Sequence, residues 1–305
     1  MESGWKGESV GRMSGGRPVG KMVEEERSRR RTSCKDVSLS SLSIVCFSFP
    51  SVRLPAALTY RLCHLLSCPT ARSPPIFDLS TSESSTNLLH FGSSTLSPLT
   101  SSTSPPTILL TPSSPSTTGA SYIPIPLSLT SSFLTTFTFR ISRQSPSSPG
   151  ADGLAFVYSL SFPQLGEGGG SIGYGGLGAG WAVEVDTYRT EDRTADPPTP
   201  HVSLHAPLDP HHRNSLACTS DPGRLPRLTN GEWYEMRVQW RAKGRRVAVW
   251  LAETTSGEEN EGRWELLFGA TIPESRLSGG DDEAWLGVSA ACGGLSETVS
   301  RVSAR

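Results

Sequence analysis

Charge and apolar surface are both scarce in this chain of 305 residues. Hydrophobic residues make up 35% and charged residues 19%, below the roughly 45–50% and 25% of average globular domains. The net charge of −1 excludes a nucleic-acid binder that works through bulk positive charge. No uncharged apolar run reaches the roughly 18 residues that a membrane-crossing helix needs. Six cysteines are too few for a disulfide-built scaffold at this length. No Asn-x-Ser/Thr sequon occurs, and no amphipathic pattern of ten or more residues suggests a long helix. Ser, Thr, Pro and Gly take up the missing share, with 30 Gly and 24 Pro. Part of the chain is therefore expected to be low-complexity, with the core in the rest.

Residues 1–75 read as that low-complexity part, a disordered leader or an upstream extension. Glu24, Glu25 and Glu26 abut Arg27, Arg29, Arg30 and Arg31, a block expected to be solvated. A Ser-rich apolar stretch follows, but Pro50, Arg53, Pro55 and Arg61 break it. It does not make a clean signal peptide. Cys63 and Cys68 lack a second Cys/His pair at zinc-finger spacing.

From residue 76 the texture becomes β. Runs such as "TILLTP", "SFLTTFTFRI", "GLAFVYSL", "GWAVEVDTY", "WYEMRVQW" and "RRVAVWLA" are separated by Ser, Pro and Gly turns. Phe133, Thr135, Phe137, Phe139 and Ile141 alternate with more polar neighbours, the mark of a strand with one buried face. The expectation is an all-β domain over 76–305, built as an antiparallel β-sandwich.

The chemistry concentrates in "AVEVDTYRTEDRTADPPTPHVSL". On a strand, Glu184 and Asp186 project from one face. Two adjacent carboxylates repel unless a proton or cation lies between them. Asp192, Asp196 and His201 follow in a Pro-rich loop. Oxygen donors suit Ca²⁺, and an added imidazole suits a transition metal such as Mn²⁺. The other reading of the same residues is a polar strand face beside an acidic surface loop.

"VEVDTY", a loop and "DPPTPH" resemble the metal loop of the L-type (legume-like) lectins. "SFLTTFTFRI", "ADGLAFVY", "GGSIGYGGLGAGWAVEVDTY" and "GVSAACGGLSET" resemble four more family segments, in family order. The resemblance spans about Ile76 to Thr298. It implies a concanavalin A-like jelly roll that binds carbohydrate without catalysis, with Ca²⁺ and Mn²⁺ or another transition metal as cofactors. By resemblance, Glu184, Asp186, Asp196 and His201 bind metal, and Tyr188 offers its backbone carbonyl to Ca²⁺. Asp152 is implied as a sugar ligand, after a cis Ala151–Asp152 bond. Gly175 (or Gly176), Gly294 and Leu295 are implied as backbone donors to sugar, and the Tyr188 ring as a face for a pyranose. The family's third-loop Asn falls on Thr190 or Glu191, depending on the direction of counting, and neither is Asn. Glu191 suits Ca²⁺ but cannot donate to sugar while ionised, whereas Thr190 can donate. After the fourth loop the polar "SETVSRVSAR" stands where the family has an apolar strand, so a truncated last strand is expected.

The altered third loop keeps a second function in view, a lectin-like fold that serves as a protein-interaction module. A glycoside hydrolase on a similar sandwich is a third. There a further carboxylate would follow Glu184 and Asp186 on the strand, but Tyr188 or Arg189 stands in its place. The resemblance also implies glycan partners, a homodimer through the flat sheet and an extracellular or secretory-pathway location. Whether Cys218 and Cys292 pair is left open by the sequence.

Overall fold

The computed structural model describes residues 37–47, 77–78, 87–97, 107–112, 114–143, 150–190, 196–198, 200–221, 223–254, 264–280, 282–294 and 297–299. Seventeen strands run through them. In chain order these are β1 (Val37–Phe47), β2 (Phe77–Asp78), β3 (Leu89–Gly92), β4 (Thr95–Ser97), β5 (Thr107–Thr111), β6 (Thr117–Tyr122), β7 (Leu127–Ser128), β8 (Ser132–Arg143) and β9 (Gly153–Ser159). Then come β10 (Gly180–Asp186), β11 (His201–His205), β12 (Ser215–Thr219), β13 (Tyr234–Arg241), β14 (Arg246–Glu253), β15 (Glu265–Thr271), β16 (Glu283–Cys292) and β17 (Glu297–Val299). The remaining regular elements are three-residue 3₁₀ turns.

Two antiparallel sheets result. One has the order β15-β14-β13-β8-β1-β5-β4, with β17 on β8 and β2 on β1. The other has the order β12-β11-β10-β9-β16-β6-β3, with β7 on β16. The period-two pattern decides what each strand buries. In β8, Phe133, Thr135, Phe137, Phe139 and Ile141 are buried while the residues between them are half-buried. Their partners come from the facing sheet. Phe133 stacks on Tyr158 and Trp181, and Phe137 stacks on Phe156. Trp240 closes the aromatic group against Trp181 at 5.6 Å.

Strands β9 and β10 are buried along their whole lengths. Their inner face (Leu154, Phe156, Tyr158, Trp181, Val183, Val185) joins the sandwich core. Their outer face carries a second apolar cluster, in which Ala155, Val157 and Ala182 pack under Ile172, Tyr174, Leu177 and Leu208. The Gly-rich loop between β9 and β10 thus folds back over the outer face and covers it.

Strand β1 lies in the stretch that the sequence reading assigned to a leader. It pairs with β8 from Ser38↔Arg140 to Phe47↔Ser132 and with β5 on its other side. Strand β17 pairs with the next three residues of β8, from Glu297↔Arg143 to Val299↔Ile141. Two segments far apart in sequence therefore share one side of β8, end to end. Cys218 stands exposed on β12 and Cys292 is buried in β16, and the two are not bridged to each other.

Candidate functional site

The outer face of the second sheet gathers the polar residues. Asp186 pairs across the ladder with His201, Glu184 with Ser203 and Ala182 with His205. Directly opposite residues of an antiparallel pair share a face. So His201, Ser203 and His205 stand beside Glu184 and Asp186, while Val183, Val185, Val202 and Leu204 point into the core. The apolar residues of "VEVD" and "HVSLH" hold both strands down, and that fixes where the polar ones go.

Loops complete the group. Asp196 enters from the Pro-rich loop after β10, and His212 from a 3₁₀ turn, His212–Asn214, between β11 and β12. Asp209 sets that turn. Its carboxylate accepts from the His211 N–H at 3.0 Å and from Asn214 Nδ2 at 2.7 Å. The result is that Glu184, Asp186, Asp196, His201, His205 and His212 are all buried. His201 Nε2 lies 3.7 Å from Glu184 Oε1 and 3.9 Å from Asp186 Oδ2. His212 Nε2 lies 3.5 Å from Glu184 Oε1 and 3.4 Å from Asp196 Oδ1. From the Gly-rich loop, Tyr174 donates its hydroxyl to Glu184 Oε2 at 2.5 Å.

The electrostatics follow. Burial drives the Glu184 carboxyl upward, but the imidazoles of His205, His201 and His212 outweigh it and hold the group well below the usual range. Asp186 has no such balance. Burial, Glu184, Asp196 and Asp152 together push it well above an ordinary aspartate, despite the N–H donated by Tyr188. Burial lowers His205. Burial first, and then three neighbouring carboxylates, drive Asp186 toward its protonated form, and a cation would relieve that repulsion. Asp196 Oδ1 is buried and finds no hydrogen-bond partner among the described residues. These donors fit the metals that the lectin resemblance implies, with carboxylates for Ca²⁺ and an imidazole for the softer ion.

Asp152 sits at the edge of this group. Its N–H donates to the Ala291 carbonyl, and its own carbonyl accepts from the Thr187 N–H and hydroxyl, both at 2.9 Å. The Ala151–Asp152 peptide is cis, as the resemblance implied. Gly153 follows at φ +149°, where a Cβ would sit 2.1 Å from the Val185 carbonyl oxygen, so only glycine fits. On the other side, a Cβ on Gly293 would lie 2.9 Å from Asp152 Oδ2.

Of the other residues named from the sequence, Tyr188 is half-buried and donates its N–H to Asp186 Oδ1 at 2.7 Å. Thr190 donates its N–H to Asp196 Oδ2 at 2.6 Å. Gly294 is exposed beside Gly293. Glu191, Asp192 and Leu295 lie outside the described residues. Gly175 does not stand as a donor aimed at solvent. It is buried and gives its N–H to Ser171 within its own loop at 3.0 Å, while the neighbouring Gly176 is exposed. Sequence reasoning missed His205, His212 and Tyr174. The run "HAPLDPHHRN" carried the signal for His212, a second imidazole source soon after His201.

Comparisons with known proteins agree with this fold. The family model of the legume lectin domain matches residues 81–303. Similar solved structures include peanut lectin with a nine-residue peptide (21% identical, TM-score 0.56, covering 73% of this chain and 91% of that one). Lectin II from Ulex europaeus is 20% identical with a TM-score of 0.54, and covers 71% of this chain and 90% of that one. The metal-free form of lectin I-B4 from Griffonia simplicifolia is 17% identical with a TM-score of 0.52, and covers 73% and 94%. No helix among the described residues is long and apolar enough to cross a membrane.

Proposed function

This chain belongs to the legume lectin domain family, and on that premise we propose that it binds carbohydrate, without catalysis, in a metal-dependent way. The observation that carries the reading is the position of Asp152. Its carboxylate lies between the end of the acidic strand β10 and the loop after β16, and backbone bonds from both sides hold it there. A carboxylate accepts hydrogen bonds from two vicinal hydroxyls, which suits a hexose. Exposed Gly294 lets backbone approach such a ligand, and the half-buried Tyr188 offers a ring face to the apolar side of a pyranose. Thr190 takes the place of the third-loop amide.

Glu184, Asp186, Asp196 and His201 would hold the metal, with the Tyr188 carbonyl and Glu191 added for Ca²⁺. When bound, the metal supplies the positive charge that lets these carboxylates stay ionised together. The chain's own residues do the rest. Thr187 ties Asp152 to the end of the metal strand, and Tyr174 ties the Gly-rich loop to Glu184. Metal binding and the sugar site are in this way mechanically joined. Hydrolysis is disfavoured because Tyr188 or Arg189 stands where a sandwich hydrolase would carry its further carboxylate, and neither can protonate a glycosidic oxygen. An extracellular or secretory-pathway location goes with this reading.

The test is a glycan array on the folded full chain, run in Ca²⁺/Mn²⁺ and again in EDTA, with Asp152→Asn alongside. Binding that needs the ions and disappears in the variant supports the proposal and names the sugar. Silence from protein shown to be folded and metal-loaded rejects sugar binding. It favours the alternative, a lectin-like scaffold that engages a protein.

A further inference from the structure

The lectin resemblance supplies one imidazole to the transition-metal position. We infer that this chain has two, and that His212 joins His201 as a direct ligand, so that the site prefers a late divalent ion such as Zn²⁺ over Mn²⁺. The inference rests on the metal reading above and extends it to a residue outside the implied ligand set.

The geometry carries it. His201 Nε2 and His212 Nε2 are 2.8 Å apart, and both rings are buried. Neither Nδ1 has a hydrogen-bond partner among the described residues. The two nitrogens can share one proton, or both can give their lone pairs to one cation, and the carboxylates around them supply the rest of a cation's shell. The remaining spacings, including 3.9 Å from His201 Nε2 to Asp186 Oδ2, are at or somewhat above those of one ion's shell. Ligands about 2.1 Å from one ion lie about 3.0 Å apart at right angles and about 3.4 Å apart at tetrahedral angles. His212 Nε2 stands 3.5 Å from Glu184 Oε1 and 3.4 Å from Asp196 Oδ1, and His201 Nε2 stands 3.7 Å from Glu184 Oε1.

His205 is nearby but does not qualify. Its Nε2 is bonded to Ser203 Oγ at 2.8 Å and its Nδ1 to the Asp209 carbonyl at 3.1 Å, so both nitrogens are in use. That second bond, with the Asp209 staple, holds the turn that points His212 inward. Imidazole nitrogen suits Zn²⁺, Cu²⁺ and Ni²⁺, whereas Mn²⁺ favours oxygen donors. Replacing an oxygen or water position by a second imidazole therefore shifts the preference toward the later ions.

The experiment uses the full chain, stripped with chelator and titrated separately with Zn²⁺ and Mn²⁺ by calorimetry. X-ray absorption at the zinc edge then counts imidazoles in the zinc-loaded wild type. Two imidazoles are expected. His212→Ala and His212→Asn should each lose one and weaken Zn²⁺ by at least about 100-fold, beyond the 10–100-fold typical of losing a supporting outer contact. Mn²⁺ should be affected less. One imidazole in the wild type overturns the inference. So does unchanged Zn²⁺ affinity in folded His212 variants when His201→Ala abolishes binding, which leaves the simpler site standing. If the folded wild type takes up neither ion, the metal reading itself fails. Should a His212 variant not fold, the wild-type imidazole count still decides.

Discussion

At the scale of single residues, the absence of a side chain matters as much as its presence. Gly293 leaves room for the Asp152 carboxylate, and a methyl group there would meet Asp152 Oδ2 at 2.9 Å. Gly293→Ala is therefore expected to weaken glycan binding strongly while moving the melting temperature little, because the loop is not core. An array beside a thermal melt checks both halves. Asp186 gives a pH prediction. Its folded pKa is raised by burial and by neighbouring carboxylates. Above the ordinary aspartate value of 3.8, the unfolded chain has released a proton that the metal-free folded chain still holds. This group's contribution to stability therefore falls as pH rises through that window. Asp186→Asn carries no such proton. In EDTA, the variant's melting temperature should gain on the wild type as pH rises from about 4 toward 8. With ions added the order should reverse, since the variant lacks a ligand. A gap that stays flat with pH counts against the raised value.

At the scale of elements, β1 is the informative strand. It fills the position between β8 and β5 and begins where β17 leaves off. Without it, two strand edges would stand open, and open edges invite pairing with other chains. A chain lacking residues 1–47 should lose a ladder of backbone bonds worth about 0.5–1.5 kcal/mol net each. At roughly 2–4 °C per kcal/mol for a domain of this size, its melting temperature should fall by at least about 10 °C, with aggregation visible by light scattering. An unchanged, monomeric truncation would show that β1 is dispensable. Most other strands were legible from sequence. The alternation of Phe133 to Ile141 marks β8, and the apolar residues of "VEVD" mark β10. The segment Val37–Phe47 was not legible as a sheet member, because Ser-rich composition and a charged approach read the same in a leader as in a strand that finds partners.

At the scale of the whole molecule, two groups of contacts hold the domain, and they respond to different perturbations. The aromatic group of Phe133, Phe156, Tyr158, Trp181 and Trp240 joins the two sheets. Trp181 lies at its centre and is fully buried. Trp181→Ala should cost about 3–5 kcal/mol, read by denaturant unfolding, with or without metal. The acidic site responds to ions instead. At an ion concentration about 100-fold above the dissociation constant, bound metal adds about 2.7 kcal/mol. Chelator should therefore lower the melting temperature by about 5–10 °C. Equal melts with and without EDTA, at saturating ion in the first, would argue that no metal is held.

The sequence by itself determined the fold class, strands of both sheets such as β8, β9, β10, β13 and β14, and the core ligand candidates, while it read His201 as part of a loop rather than as the start of β11. Period-two patterning and short polar motifs are local properties, read within a few residues. Glu184, Asp186, Asp196 and His201 were visible for that reason, whereas the Ala-Asp step at residues 151–152 came only from the family resemblance. Only the tertiary structure decided three things. It brought His212 against His201 from a separate turn, it turned the Gly175 amide inward while leaving Gly176 exposed, and it set β1 beside β8. Each depends on where a loop or distant segment lands once the core has closed. That landing is governed by contacts between residues far apart in the chain, such as Ser289 with Ile172 or Ser38 with Arg140, and no local pattern encodes it.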